Sequence, residues 1–238
     1  MWNKPQALLW FANLFYATAA VLMMYAMLFV LVHLPIFPLK EVKVDGDLKH
    51  VTREQLKLIV GRHLHGNFFT VNLEQARDAF QKLPWVRNVS VRRRWPATLE
   101  VTVEEHRELA RWGNVALVNT YGELFHAASD TDLPAFYGPG DGVGEVASHF
   151  GTYSALLAPT GLRVMQLALT PRRAWQIGTD KGMVIELGRD QAEARLKKFA
   201  AAYGKTLGAS GVSVAYADLR YPNGFAVRKP MAATGRGT

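Results

Sequence analysis

No cysteine occurs anywhere in the 238 residues. Its absence excludes a disulfide framework, an iron–sulfur cluster and any thiolate-ligated metal. It also suits an oxidising compartment, where chains either form disulfides or avoid thiols. The seven histidines include no His-x-x-x-His pair, so a helical two-histidine metal site is not expected. There is no Gly-x-Ser-x-Gly elbow and no pair of acids with supporting spacing, which leaves no nucleophile with a base in reach. His106 follows Glu104 and Glu105, but neighbours on a strand point to opposite faces. The glycines between Leu133 and Gly144 lack dinucleotide or phosphate-loop spacing. Charge of one sign is also scarce in runs. The net charge is +8, yet both signs are mixed throughout, and Arg92-Arg93-Arg94 is the one concentrated cluster. With no basic stripe on a docking element, nucleic acid is not an expected partner. No catalytic, cofactor-binding or metal-ligating residue, no cofactor and no small-molecule substrate are expected.

What the chain does have is one long apolar run. From Leu8 to Leu34 no residue carries a formal charge at neutral pH, and about 20 such residues span a bilayer core. A cleaved secretory signal has a shorter apolar core of about 7 to 15 residues and a small-residue cleavage site. Here the run leads instead into Leu-Pro-Ile-Phe-Pro. An uncleaved transmembrane helix over 8–34 is therefore expected, behind a short leader, 1–7, that carries Lys4 and no acid; Lys40 and Lys43 lie on the far flank, so charge alone does not decide which side the leader faces. Nearly everything else lies beyond the membrane.

Two domains are expected there. In 35–109, Val42 and Val44 alternate with Lys43 and Asp45 as a short strand ending at Gly46. Thr52 with Gln55, and Asn72 with Gln75, have capping spacing before two helices. The second, lined by Ala76, Ala79, Phe80 and Leu83, stops at Pro84. The period then becomes two: Val89 and Val91, a break at Trp95-Pro96, then Leu99, Val101 and Val103. The order is β-α-α-β-β, with Arg92 and Arg94 across from Glu100 or Glu104 as charge pairs.

In 110–229 the sequence predicts a hairpin around Asn119-Thr-Tyr-Gly122 and a loop over Leu133–Gly144. A helix follows over Glu145–Leu157, then strands over Leu162–Leu169, Ala174–Thr179 and Met183–Leu187. A helix carrying Leu196, Phe199, Ala200, Tyr203 and Leu207 closes at Gly208 and Gly211. The last two strands are Val212–Tyr216 and Phe225–Val227. The tail, 230–238, is expected to be flexible. The fold class is α+β: a single transmembrane helix, a small β-α-α-β-β domain, then a mixed α/β domain on an antiparallel-rich sheet.

The stretch LPWVRNVSVRRRWPATLEVTVEEHRELARW, with Phe37-Pro-Leu-Lys-Glu-Val and the Gly113–Phe125 hairpin, resembles a POTRA domain. Arg172-Arg-Ala-Trp175, Val184-Ile-Glu-Leu-Gly-Arg189 and Asp218-Leu-Arg-Tyr221 with Asn223-Gly224 are similar to the FtsQ/DivIB family of bacterial division proteins. The chain departs from that pattern in its very short leader and in Lys229, where some relatives carry an aromatic residue. The resemblance implies a non-enzymatic, bitopic scaffold of the divisome in the inner membrane, with its bulk periplasmic and enriched at the septum. It implies binding of the FtsB and FtsL pair through the C-terminal domain, by strand addition at the final strand. Other division proteins would use the POTRA domain and the anchor.

The residues themselves agree with an exposed terminal edge. The expected partner-binding set is Arg220, Tyr221, Asn223, Gly224, Phe225, Ala226, Val227, Arg228 and Lys229. Simpler roles compete: Tyr216, Leu219 and Phe225 as core, Arg220 in an internal ion pair, Asn223-Gly224 as turn chemistry, and Trp85, Trp95 and Trp175 as packing residues. Arg92–Arg94 is expected as a solvated face, with a protein or lipid contact as the alternative. Another POTRA-bearing envelope protein, one that handles outer-membrane or secreted polypeptides, is the rival reading. Such proteins usually carry several POTRA copies and a barrel, and this sequence shows neither.

Overall fold

The computed structural model describes residues 5–34, 37–204, 213–222 and 224–230. The chain divides into two compact units, 1–105 and 106–238, and each is taken by itself.

The first unit begins with helix α1, Pro5–His33. Within it, Leu9–His33 has a mean hydropathy of 2.2 and is not buried against the rest of the protein. A helix apolar on every side, with no protein core around it, is long and apolar enough to cross a membrane. The rest of this unit is α+β: strand β1 (Glu41–Asp45), helices α2 (Arg53–His63) and α3 (Leu73–Gln81), then strands β2 (Val86–Arg94) and β3 (Thr98–Glu105). Thr52 and Gln55 close a capping box at α2, and the Asn72 side chain accepts from the Gln75 amide at α3. The sheet order is β1-β3-β2, with β3 parallel to β1 and antiparallel to β2. The central strand supplies the buried alternation: Leu99, Val101 and Val103 pack with Val89, Val71 and Phe80.

The charges in this sheet sort by register. Glu100 lies 3.8 Å from Arg92 and 3.5 Å from Arg94. Glu104 pairs with Arg87 at 2.9 Å instead. The middle arginine does something else: Arg93 donates to the carbonyls of Phe68, Phe69 and Val71. The arginine run is thus not uniformly a solvated face, because alternation turns Arg93 onto the loop before α3.

A buried carboxylate closes the far end of β3. Glu105 accepts from the amides of Lys49, His50 and Val51 at 2.8–3.2 Å and from the His50 ring at 3.2 Å. The His50 ring stacks on Trp85 at 3.6 Å. At Gly46, just ahead of this loop, φ is +149° and a Cβ would stand 2.2 Å from the Val103 carbonyl oxygen, so no other residue fits there.

Among its described residues the second unit holds a nine-stranded sheet with two α-helices. Its elements are β4 (Glu108–Trp112), β5 (Ala116–Asn119), β6 (Leu124–Phe125), β7 (Ala135–Tyr137), α4 (Val143–Leu157), β8 (Val164–Leu169), β9 (Trp175–Thr179), β10 (Val184–Gly188), α5 (Ala192–Tyr203), β11 (Tyr216–Asp218) and β12 (Ala226–Arg228). The spatial order is β12-β11-β10-β9-β8-β7-β4-β5-β6. Three neighbouring pairs are parallel (β10–β11, β7–β8 and β4–β7) and the others antiparallel. The sheet is therefore mixed. Helices α4 and α5 contribute Val146, Tyr153, Leu157, Leu196 and Phe199 to one core with Phe136, Leu167, Ile177 and Ile185.

Several expected boundaries change. The loop over 133–144 contains β7, a three-residue strand without room for visible alternation, held by parallel pairing to distant β4 and β8. Strand β4 runs across the expected 109/110 division. Helix α4 starts at Val143 rather than Glu145, and β11 is confined to Tyr216–Asp218. Leu207, Gly208, Gly211 and Val212, which figured in the expected end of α5 and start of β11, lie outside the described residues.

Burial opposes ionisation of Glu105, but the amide and His50 hydrogen bonds outweigh it and hold the carboxyl below the usual glutamate range. The group is charged in the folded state at pH values where an unfolded chain takes up a proton. Its contribution is therefore complete above the ordinary glutamate range and is lost as pH falls through and below that range. Glu105→Gln should cost on the order of 2 kcal/mol at neutral pH and flatten the acid limb of stability. Thermal melts of the full chain in detergent across pH, with the wild type as reference, measure both effects.

Candidate partner-binding site

The far edge of the second sheet is built by a β10–α5–β11 crossover and a short return strand. Because α5 carries the chain over the sheet, β11 enters parallel to β10, as such crossovers require, with Val184, Ile185 and Glu186 opposite Tyr216, Ala217 and Asp218. Ala217 is fully buried and Leu219 nearly so, and the Leu219 amide donates to the Glu186 carbonyl at 2.8 Å. The chain then turns back, and β12 pairs antiparallel with β11, Ala226, Val227 and Arg228 opposite Asp218, Ala217 and Tyr216. Among the described residues β12 has no strand on its other side. The sheet's opposite end is β6, two residues long, a blunted edge by comparison.

The expected set of residues distributes over this edge in three ways. Phe225 is half-buried against the core, its ring edge-on to Phe199 at 5.2 Å. Its main role in the fold is packing. Tyr221 is 56% exposed and Val227 42% exposed; Gly224, Ala226 and Lys229 are also exposed. Arg228 is exposed and its guanidinium sits over the Tyr216 ring at 5.1 Å. Arg220 forms the internal pair with Asp218, donating through Nε at 2.9 Å and Nη2 at 2.7 Å, while its amide donates to the same carboxylate at 3.0 Å. The Arg220 side-chain bonds outweigh burial and hold the Asp218 carboxyl below its usual range. The Arg220 side chain is nonetheless 57% exposed. Asn223 lies outside the described residues.

Helix α5 adds residues that did not stand out in the sequence. A cleft of about 510 Å³ runs between Gln191, Arg195 and Lys198 on one wall and Tyr221, Pro222 and Phe225 on the other. Arg195 also donates to the Leu187 carbonyl at 2.8 Å. The available signal was the polar face of the helix, Ala194, Arg195 and Lys198, opposite its buried Leu196 and Phe199. No spacing in the chain says that this face borders the last strand. Among the described residues no group of three or more His, Asp or Glu side chains is placed to hold a metal.

Residues 37–106 match the family model for the FtsQ-type POTRA domain. Residues 110–220 match the model for the C-terminal region of the cell division protein FtsQ/DivIB. The chain is 43% identical over 233 residues to the cell division protein FtsQ of Nitrosospira multiformis, covering 96% of this chain and 99% of the relative. It is 40% identical over 235 residues to that of Burkholderia pseudomallei, covering 96% and 94%. The chain belongs to the FtsQ/DivIB family. A further relative, the FtsQ of Coxiella burnetii, is 38% identical over 194 residues, 80% of each chain. The C-terminal family match ends at residue 220, so the Tyr221–Lys229 segment lies beyond it and rests on its own geometry.

The geometry around Arg220 depends on Gly188. Its φ is +76°, and a Cβ there would lie 2.9 Å from Arg195 Nη1 and 3.2 Å from Arg220 Cγ. Gly188→Ala should therefore displace both arginines and destabilise the second unit by about 1 to 3 kcal/mol. A lowered melting temperature of the full chain, with Gly204→Ala as an unobstructed control, reads the difference.

Proposed function

We propose that this chain is a non-enzymatic scaffold of the bacterial divisome that captures the FtsB and FtsL pair by adding a strand of FtsB to β12. The single observation that carries the reading is the position of β12: last in a nine-stranded sheet, paired on one side and, among the described residues, without a strand on the other. An edge strand offers its backbone donors and acceptors to an extended segment, and that pairing supplies affinity while flanking side chains supply choice.

The flanks favour an acidic segment. Arg195, Lys198, Arg220, Arg228 and Lys229 border the edge and its cleft, against Asp190 and the Asp218 already paired to Arg220. Val227, on the same side of the ladder as buried Ala217, supplies an apolar position for one incoming side chain. Tyr221 stands exposed at the cleft mouth as an aromatic anchor. Membership of the family supports the division role. The all-round apolar α1 supports a single-pass inner-membrane anchor at 8–34, with a cytoplasmic leader at 1–7. The POTRA region at 35–109 and the C-terminal domain at 110–229, with its tail at 230–238, lie in the periplasm at the septum. The first of these domains serves other division proteins.

Val227→Pro removes a backbone donor and fixes φ within the last strand. Copurification from membranes should then lose FtsB and FtsL while α1 and the POTRA region stay folded, judged by limited proteolysis. Arg220→Glu should weaken capture and make it less sensitive to salt, since an attractive charge becomes repulsive. Undiminished capture in both variants places the interface elsewhere on the chain.

A further inference from the structure

A second surface stands out in the first unit, at the end where α1 leaves the apolar span. Asn67 is buried, and its side-chain amide donates to the carbonyls of Val32 and Leu34 at 2.6 and 3.1 Å. Those carbonyls lie in the last turn of α1 and just after it, where helices leave acceptors unmatched. The same Asn67 side chain accepts from the amides of Phe69 and Thr70. The 67–70 loop is thereby held at the exit of the apolar helix. Arg93 fixes it from the other side through the carbonyls of Phe68, Phe69 and Val71. The turn between β2 and β3 lies at the same end, because the buried Phe68 ring touches both Phe69 and Trp95. The Lys40 amide bonds the Ala97 carbonyl there as well.

This end carries an unusual combination of side chains. Trp95 is 67% exposed and Phe69 41% exposed, although both belong to an aromatic group with Phe37 and Phe68. Around them Lys40 is exposed, and Arg92 and Arg94 keep about two thirds of their side chains in the open while sharing the single carboxylate of Glu100. Exposed aromatic rings beside an excess of cations over carboxylates, on a rigid support, match the headgroup level of a bilayer. There Trp sits in the boundary layer and Lys or Arg meets lipid phosphate. A tip that faced only water would gain nothing from exposing an indole ring.

We infer that the first unit docks its β2–β3 turn and the 67–70 loop onto the lipid surface from which α1 emerges. Trp95 and Phe69 enter the acyl–headgroup boundary, and Lys40, Arg92 and Arg94 contact anionic headgroups. The occupant is the membrane itself, by continuity with α1 and by charge. This inference rests on α1 spanning the bilayer. Its consequence is that the POTRA domain is held against the membrane at one end and cannot swing freely about its anchor.

The lack of cysteine makes the test direct. A nitroxide on Ala97→Cys in the full chain reports the environment of the turn, and one on Asp47→Cys reports the opposite end of the same sheet. In phosphatidylethanolamine vesicles containing phosphatidylglycerol, the Ala97 label should collide more with membrane-dissolved oxygen than with a water-soluble nickel chelate, and the Asp47 label should do the reverse. Omitting phosphatidylglycerol should shift the Ala97 label toward water. Trp95→Ser with Arg94→Gln should shift it further at an unchanged melting temperature. If that variant misfolds, the comparison of the two labels in the otherwise wild-type chain still decides. A water-exposed Ala97 label on a chain that resists alkaline extraction overturns the docking alone. Extraction of the chain overturns the anchor and the docking together. Shielding that appears only when division partners are added overturns the lipid assignment in favour of a protein.

Discussion

Backbone hydrogen bonding at the places where regular structure stops is the constraint on which this molecule depends. A helix or sheet satisfies its own interior, and the groups left over at its ends and edges need another partner. In the first unit Thr52 and Asn72 meet that need locally at the helix starts, and three further side chains meet it across long separations in sequence. Asn67 takes the last carbonyls of α1, Arg93 takes those of the 68–71 loop, and Glu105 takes the amides of residues 49–51. Each is buried or clasped against backbone, and each ties together segments distant in sequence. In the second unit Asp218 and Arg220 fix the start of the last turn, but among the described residues no strand covers the outer side of β12.

The chain thus has two contrasting kinds of surface. The β12 edge offers backbone, and in the proposed reading the bordering cations, Tyr221 and Val227 would supply the specificity there. The turn between β2 and β3 offers exposed side chains, and its aromatic and basic groups suit a fluid, anionic surface better than a shaped one. A scaffold would benefit from this division: in the proposed reading one surface sets orientation at the membrane and the other captures a defined segment. Neither requires a group poised for chemistry.

Much of the architecture was legible in local pattern. The capping residues Thr52 and Asn72, the apolar face of α3 and the alternation through Leu99, Val101 and Val103 each report on a neighbour within a few residues. Hairpin register also placed Arg92 and Arg94 across from Glu100 or Glu104; the structure pairs both with Glu100 and gives Glu104 to Arg87. Strand β7 was not legible, because it is three residues long and is held by parallel partners far along the chain; β4 carries no clear alternation, although it pairs antiparallel with neighbouring β5. The internal role of Arg93 was hidden inside a run of three like residues, and the α5 wall of the cleft was hidden among ordinary helix-surface charges.

The sequence by itself determined the apolar anchor, the order of the main elements and the family resemblance, since these depend on composition, periodicity and motif. Only the tertiary structure decided which strand lies at the sheet's edge, that Phe225 packs while Tyr221 stays open, and that Asn67 joins the end of α1 to the loop before α3. Those outcomes depend on contacts between residues far apart in the chain, and no local period encodes which distant backbone group will be left without a partner.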